Sequence, residues 1–291
     1  MITRSLGPDG VDVSVVGFGG MPLSIQGRPD RDVGIPVIHA SLDAGMTLID
    51  TADVYCLDDN DIGHNERLVA QALRDWTGER DSIVVATKGG LTRPDGRWET
   101  NGHPEHLRRA CERSLEALAV DRIDLYQYHA PDPEVPFEES VGTLADLRQE
   151  GKVRWIGLSN VSVNEIKRAE SIVPIVTVQN RLSPFFREAL RTGVVEYCDQ
   201  RGIGFLAYSP VGGGRLNKKL PTHPVVAEIA QRHGTSTHAV VLAWVLHQGE
   251  NVIVIPGART IEHTVDSASS ASLEMSQDEL ATIDAAEFSI A

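Results

Sequence analysis

Residues 15–22 read VVGFGGMP. Two β-branched residues running into spaced glycines resemble the turn that opens a βαβ unit, where glycines let the backbone approach a pyrophosphate and the next helix points its N-terminus at the phosphates. That reading requires a third glycine three positions after Gly19 and a helix directly behind it. Position 22 is proline instead, and the continuation, LSIQGRPDRDVG, is polar and interrupted by Gly27 and Pro29. No helix starts where the fingerprint needs one, so an open doubly wound sheet is set aside and the rest of the chain must supply the architecture.

Beyond this stretch a rhythm runs to the end of the chain. Short β-branched runs recur, each followed by apolar residues at helical spacing. The predicted strands are VSVVGF (13–18), MTLID (46–50), SIVVATK (82–88), IDLYQYH (123–129), VRWIGLS (153–159), PIVTVQN (174–180), GIGFLAYS (202–209) and NVIVIPG (251–257). Predicted helices include DVGIPVIHASLDAG, with Val33, Val37, Ile38 and Leu42 on its apolar face, and PEHLRRACERSLEAL, with Arg108 and Arg109 on its outer face. NERLVAQALRDW, FEESVGTLADLRQEG, NEIKRAES, GVVEYCDQRG and IEHTVDSASSASL continue the series. Such alternation gives parallel strands joined by right-handed crossovers, and eight units in 291 residues fit a closed α/β barrel, the (β/α)8 TIM barrel. TRSLGPDGVDVS (3–14) reads as a hairpin about a GPDG turn that plugs the barrel bottom. Two helical stretches, HPVVAEIAQRHG and TSTHAVVLAWVLHQG, precede the eighth strand, and MSQDELATIDAAEF forms a C-terminal helical tail. No linker divides the chain, so residues 1–291 read as a single barrel domain.

Composition narrows the function. A net charge of −14 argues against a general nucleic-acid binder, which needs clustered Lys and Arg in excess. Cys56, Cys111 and Cys198 are odd in number, far apart and in no CxxC pair, so neither a disulfide framework nor a zinc ribbon is expected. The N-terminus has no apolar leader, and no apolar run reaches the ~18 residues of a membrane span. A reducing, cytoplasmic setting fits these features.

In such a barrel the chemistry sits at the C-terminal ends of the strands. There the second strand ends in Asp50, with Tyr55 following in LIDTADVY; the third ends in Lys88, in VVATKGG; the fourth ends in His129, in LYQYHAPDP. Each has an ordinary alternative as a loop start, a solvated lysine, a cover over the mouth or a strand cap. Together, at the same end of three consecutive strands, they point to a site.

In order along the chain, LIDTADVY, ATKGG, LYQYHAPDP, GLSN, VQN, AYSPVGGG and IPGART resemble the landmarks of the aldo-keto reductases over nearly the whole sequence. The resemblance implies NAD(P)H-dependent reduction of a carbonyl, with Asp50, Tyr55, Lys88 and His129 as catalytic tetrad and no metal. The chemistry is consistent with it. A tyrosine of ordinary pKa, about 10, that gives its proton to a nascent alkoxide near neutral pH needs a cation to stabilise the phenolate; Lys88 supplies it and Asp50 pairs the ammonium. His129 then hydrogen-bonds the substrate carbonyl.

For the cofactor, the resemblance implies that Gly20 and Met21 border the nicotinamide ribose, with Asp50 beside them. Ser159, Asn160 and Gln179 bond the carboxamide, Tyr208 stacks on the ring, and the loop Ser209, Pro210, Val211, Gly212 and Gly213 lies against the pyrophosphate, its non-proline residues offering backbone N–H groups. Arg215 or Lys218 adds charge there. The adenosine end takes Ile255, Gly257, Arg259, His263, Asp266 and Ser267. This end departs from many relatives: His263 replaces Arg or Gln, Ser267 replaces Asn, and Gly257 replaces the lysine of one branch. Because a 2′-phosphate is met by Arg or Lys, Arg259 favours NADPH over NADH.

The expected substrate is a small aldehyde, ketone or sugar-like carbonyl, with Trp98 as an aromatic wall. Cys56, beside Tyr55, is expected to be a buried inert thiol. The main alternative is a cofactor-binding regulatory or sensor subunit that keeps the barrel but turns over little. A metal-dependent hydrolase is prompted by ten histidines and by HPEH at 103–106, but Pro104 between the pair predicts a solvated helix start instead. A short-chain dehydrogenase lacks its YxxxK pair. Family analogy implies a monomer or weak homo-oligomer.

Overall fold

Period-two alternation along the apolar runs sorts each strand into a face toward the barrel lumen and a face toward the helices. The computed structural model describes residues 1–8 and 10–291 and places eight parallel strands in chain order around a ring: β1 Phe18–Gly19, β2 Leu48–Asp50, β3 Val84–Gly89, β4 Ile123–Tyr128, β5 Val153–Ser159, β6 Ile175–Arg181, β7 Gly204–Tyr208 and β8 Val252–Val254. Each pairs in parallel with its neighbours, and the bridges Val16–Val254 and Gly19–Gly257 close the ring. Leu48, Val84, Ala86, Leu125, Trp155, Leu206 and Ile253 fill the lower lumen as one cluster. The alternate residues, such as Val85, Tyr126, Ile156, Phe205 and Val254, join the larger core beneath the helices.

The N-terminal hairpin pairs Thr3–Ser5 with Asp12–Ser14 in antiparallel register, and the Leu6 carbonyl accepts from the Gly204 amide at 3.1 Å. Leu6 and Val13 complete the lower lumen cluster and are fully buried, so the hairpin is the expected plug; each such side chain contributes about 1.5–3 kcal/mol. Val13 and Ser14 therefore belong to the hairpin rather than to the first barrel strand, which is shorter than VSVVGF implied. Asp9 of the GPDG turn lies outside the described residues.

The helices α1 Arg31–Asp43, α2 His64–Asp75, α3 Pro104–Leu118, α4 Phe137–Gln149, α5 Val163–Glu170 and α6 Val194–Arg201 follow β1 to β6. Between β7 and β8 lie α7 Pro224–His233 and α8 Thr237–Leu246, and after β8 come α9 Ile261–Ser269 and α10 Gln277–Ala285. In α8 every residue from Ala239 to Leu246 is buried; a helix apolar on all sides needs cover on all sides, which α7 and α9 help to supply. On α1, Val33 is not part of the apolar face: it is 48% exposed. Arg108 and Arg109 do lie outward, Arg108 paired with Asp146 of α4 and with Glu150 just past its end, Arg109 with Glu105. No helix among the described residues is long and apolar enough to cross a membrane.

Candidate active site

The alternation that sends Leu48, Ala86 and Leu125 into the lower lumen also sends Asp50, Lys88 and Gln127, two residues further along each strand, into its upper end. There Lys88 is fully buried, its Nζ donating to Asp50 Oδ2 at 2.6 Å, to the Thr51 carbonyl at 2.9 Å and to Tyr55 Oη at 2.9 Å. Asp50 Oδ1 accepts from Gln179 Nε2 at 2.7 Å and from Gln127 Nε2 at 3.3 Å. Both carboxylate oxygens are thus occupied, a condition for holding a charge in a site closed to water. The Tyr55 and His129 rings meet edge to face with centroids 5.9 Å apart. The four residues expected from the sequence are therefore assembled at one mouth.

Their electrostatics differ from expectation in one respect. Burial raises the Tyr55 phenol, and although the Lys88 cation pulls the other way, burial prevails and the pKa is pushed up to about 12. Lys88 is a partner and donor to the phenol, but it does not bring it toward neutrality. Burial works against the Lys88 ammonium, yet attraction to Asp50 and Tyr55 outweighs it and its pKa is raised. Burial, and then the Lys88 charge, hold His129 well below the ordinary histidine range, so its imidazole is neutral. His129 Nδ1 is buried without a hydrogen-bond partner.

Trp98 stands over this mouth, 46% exposed, its ring 6.3 Å from that of Tyr55 and edge-on to it. Behind it the buried Arg93 guanidinium lies 3.8 Å from the indole and donates to the Cys56 and Leu57 carbonyls. Burial pushes the Cys56 thiol up to about 11, as expected of an inert cysteine. His103 is exposed at the start of α3, but His106 is not solvated as expected: it is buried, with Nε2 3.2 Å from the Leu91 carbonyl. No group of metal-ligating side chains occurs among the described residues.

The residues assigned to the cofactor spread around the same rim. Ser159 is buried at the end of β5, and Asn160 follows in left-handed conformation, φ 59°. Asn160 Nδ2 donates to the His129 carbonyl at 3.0 Å and its Oδ1 accepts from Tyr208 Oη at 2.8 Å, so the Tyr208 ring is tethered at the rim. Gln179 is committed to Asp50 through Nε2 rather than standing free for a ligand. After β7, Ser209, Gly212 and Gly213 all have positive φ (49°, 90° and 77°), so the chain turns sharply through Pro210 and the half-buried Val211, and the Gly212 amide donates back to the Ser209 carbonyl at 2.8 Å.

Gly20 does more than border a cavity. Its amide donates to the Asp50 carbonyl at 2.8 Å, and a Cβ there would lie 2.4 Å from Asn65 Oδ1. Met21 packs with Ala52, Val54 and Tyr55. At the far rim Ile255 points into the lumen rather than outward, and Gly257 is pressed against Pro22. Arg259 is exposed; its guanidinium donates to the Pro22 carbonyl at 3.0 Å and the Gln26 carbonyl at 2.9 Å, clasping the loop after β1. His263 is exposed on α9 and Ser267 is half-buried, whereas Asp266 turns toward α8 and accepts from Ser236 at 2.7 Å. Arg215 donates to the Ile290 carbonyl, and Lys219 to the Ser289 and Ala291 carbonyls, so the C-terminal segment lies against the loop after β7.

Gln127, Asn65 and Arg93 are part of this region and were not singled out from the sequence. Gln127 carried a signal, since alternation places it on the lumen face with Leu125. Asn65 and Arg93 carried none, because their roles depend on which strand ends and loops lie beside them.

The profile of the Aldo/keto reductase family matches residues 15–287. The chain is 36% identical over 309 aligned positions to probable aldo-keto reductase 1 of Glycine max, an alignment covering 96% of this chain and 86% of that protein. Among solved structures, a glycerol dehydrogenase of Gluconobacter oxydans superposes with a TM-score of 0.83 at 29% identity, covering 97% of this chain and 93% of that one. An aldo-keto reductase of Klebsiella pneumoniae, solved with NADPH and with NADP and acetate, superposes with a TM-score of 0.80 at 28% identity, covering 98% and 95%. With its tetrad at the mouth of a (β/α)8 barrel and a family match over most of its length, the chain belongs to the aldo/keto reductase family.

Proposed function

We propose that this protein reduces the carbonyl of a small aldehyde or ketone to an alcohol with NADPH, Tyr55 giving the proton. The observation that carries the reading is Lys88 Nζ held between Asp50, the Thr51 carbonyl and the Tyr55 hydroxyl in the buried end of the lumen. The residues present fit the cofactor: the left-handed turns at Ser209, Gly212 and Gly213 shape a loop against which a pyrophosphate would lie, Ser159, Asn160 and Gln179 line the nicotinamide end, and Arg259 is an exposed cation at the adenosine end. When bound, NADPH supplies the hydride.

The protein's own groups do the rest. A phenol with a pKa of about 12 is protonated at neutral pH and serves as the acid; Lys88 stabilises the phenolate left behind, and Asp50 keeps the lysine charged and in place. Neutral His129 orients the carbonyl by a hydrogen bond, and Trp98 with the Arg93 stack walls the mouth against water. Gly20 keeps the first loop tight against β2. Binding of NADPH and NADH followed by fluorescence, with turnover on a panel of aldehydes, ketones and sugar carbonyls, tests the proposal. Tyr55→Phe is expected to bind NADPH and lose about 10²–10⁴ in turnover. Binding without turnover on any carbonyl in the wild type would identify a cofactor-binding sensor instead.

A further inference from the structure

Asn65, the second residue of α2, is fully buried and uses its whole carboxamide. Nδ2 donates to the Gly20 carbonyl at 2.9 Å and to Ser24 Oγ at 2.7 Å, while Oδ1 accepts from Thr51 Oγ1 at 2.6 Å. The orientation of the amide is fixed, because a carbonyl such as that of Gly20 only accepts and must face the nitrogen. Thr51 is the residue whose carbonyl takes the third bond of Lys88 Nζ. The next residue, Glu66, accepts from Thr87 Oγ1 at 2.6 Å, immediately before Lys88 on β3. Two consecutive residues of α2 thus pin the backbone on either side of the Lys88 ammonium and tie it to the loop after β1.

We propose that Asn65 is a positioning residue for the proton donor: through Thr51 it holds the carbonyl that anchors Lys88 against Tyr55, and through Gly20 and Ser24 it couples that anchor to the loop after β1. It rests on the reading of Tyr55 as the acid. Asn65 touches neither substrate nor the reacting atoms, so its effect passes through the geometry of Lys88. Three directional bonds from one fully buried, rigid amide make the anchor stiff. Among apolar or acidic side chains none reproduces two donors and one acceptor at this spacing, which also accounts for the absence of a Cβ at position 20.

The test uses Thr51→Val and Asn65→Ala, singly and together, in the full-length protein. Steady-state reduction of 4-nitrobenzaldehyde, or of another aldehyde that the wild type turns over, is measured with NADPH in H2O and D2O. Thr51→Val keeps the backbone carbonyl and removes only the hydroxyl that Asn65 holds. The expected result is a loss in kcat of about tenfold in each, as for one hydrogen bond in a charged network, with KM and NADPH affinity unchanged in Thr51→Val, which leaves the Gly20 and Ser24 bonds of Asn65 in place. The solvent isotope effect on kcat rises, because proton transfer becomes slower, and the double variant loses no more than either single one, because both cut the same link. A fall in rate matched by a fall in folded fraction, with an unchanged isotope effect, overturns the proposal, as does a double variant whose losses multiply. If Asn65→Ala does not fold, the isosteric Thr51→Val decides alone. Failure of the underlying reading shows differently, as full turnover in Tyr55→Phe.

Discussion

Replacing Lys88 by Met keeps the length of the side chain and leaves Asp50 Oδ2 facing the lumen without its nearest donor, while Oδ1 keeps Gln179 and Gln127. Removing one partner of a buried ion pair costs about 3–5 kcal/mol. Because two amide donors remain on the stranded carboxylate, the expected loss lies near the lower end, about 3 kcal/mol or roughly a hundredfold in the folding equilibrium. Adding Asp50→Asn removes the charge but keeps the shape and the Oδ1 acceptor, so Lys88→Met/Asp50→Asn should recover all but about 1 kcal/mol while remaining inactive. Urea unfolding followed by fluorescence reads the difference, since Trp155 and Trp244 are both buried. In the wild type, against the effect of burial, the Lys88 pKa is raised by Asp50, so its contribution to stability is present through the neutral range and is lost only as pH rises through that raised value. A loss below about 1 kcal/mol in Lys88→Met, or a double variant less stable than the single, would refute the reasoning by showing that the lumen tolerates an unpaired carboxylate.

Three further outcomes are expected. The kcat/KM for carbonyl reduction should be level from pH 7 to 9, because burial holds His129 well below the ordinary histidine range and Tyr55, at about 12, lies above it; a limb that disappears in a His129 variant would contradict the burial argument. Gly20→Ala should destabilise the barrel by about 1–3 kcal/mol in thermal or urea unfolding, because its Cβ would lie 2.4 Å from an Asn65 oxygen that three hydrogen-bonded groups hold in place. Arg259→Ala should weaken NADPH about 10–100-fold and NADH little, as measured by fluorescence titration, because a charge-assisted bond to the 2′-phosphate is lost; equal weakening of both would assign Arg259 to the loop it clasps rather than to nucleotide choice.

The direction of a side chain along a strand is a local property, and that is why so much of this protein is legible in its sequence. Alternation of apolar residues places Asp50, Lys88 and His129 at the upper end of the lumen once the eight-unit rhythm is recognised, and the doubled helix before the eighth strand shows in the uninterrupted AVVLAWVL of α8. Even the hairpin plug follows from its turn chemistry, although only the pairing of Val13 and Ser14 decides where the plug ends and the barrel begins. Distances across the ring are a different matter. They depend on how strongly the strands tilt and on which donor reaches a shared acceptor first, so nothing local announces that Gln127 and Gln179, from β4 and β6, both meet Asp50 of β2. Burial likewise belongs to the assembled barrel, and it is burial that carries Tyr55 up to about 12 where its sequence neighbours implied a phenol drawn toward neutrality by Lys88. The sequence by itself determined which groups face the mouth, because strand geometry is repeated at every residue. Only the tertiary structure decided that Asn65 anchors Thr51, that Arg259 holds the loop of Pro22 and Gln26, and that Arg93 lies beneath Trp98, because each contact joins segments that meet only when the ring closes.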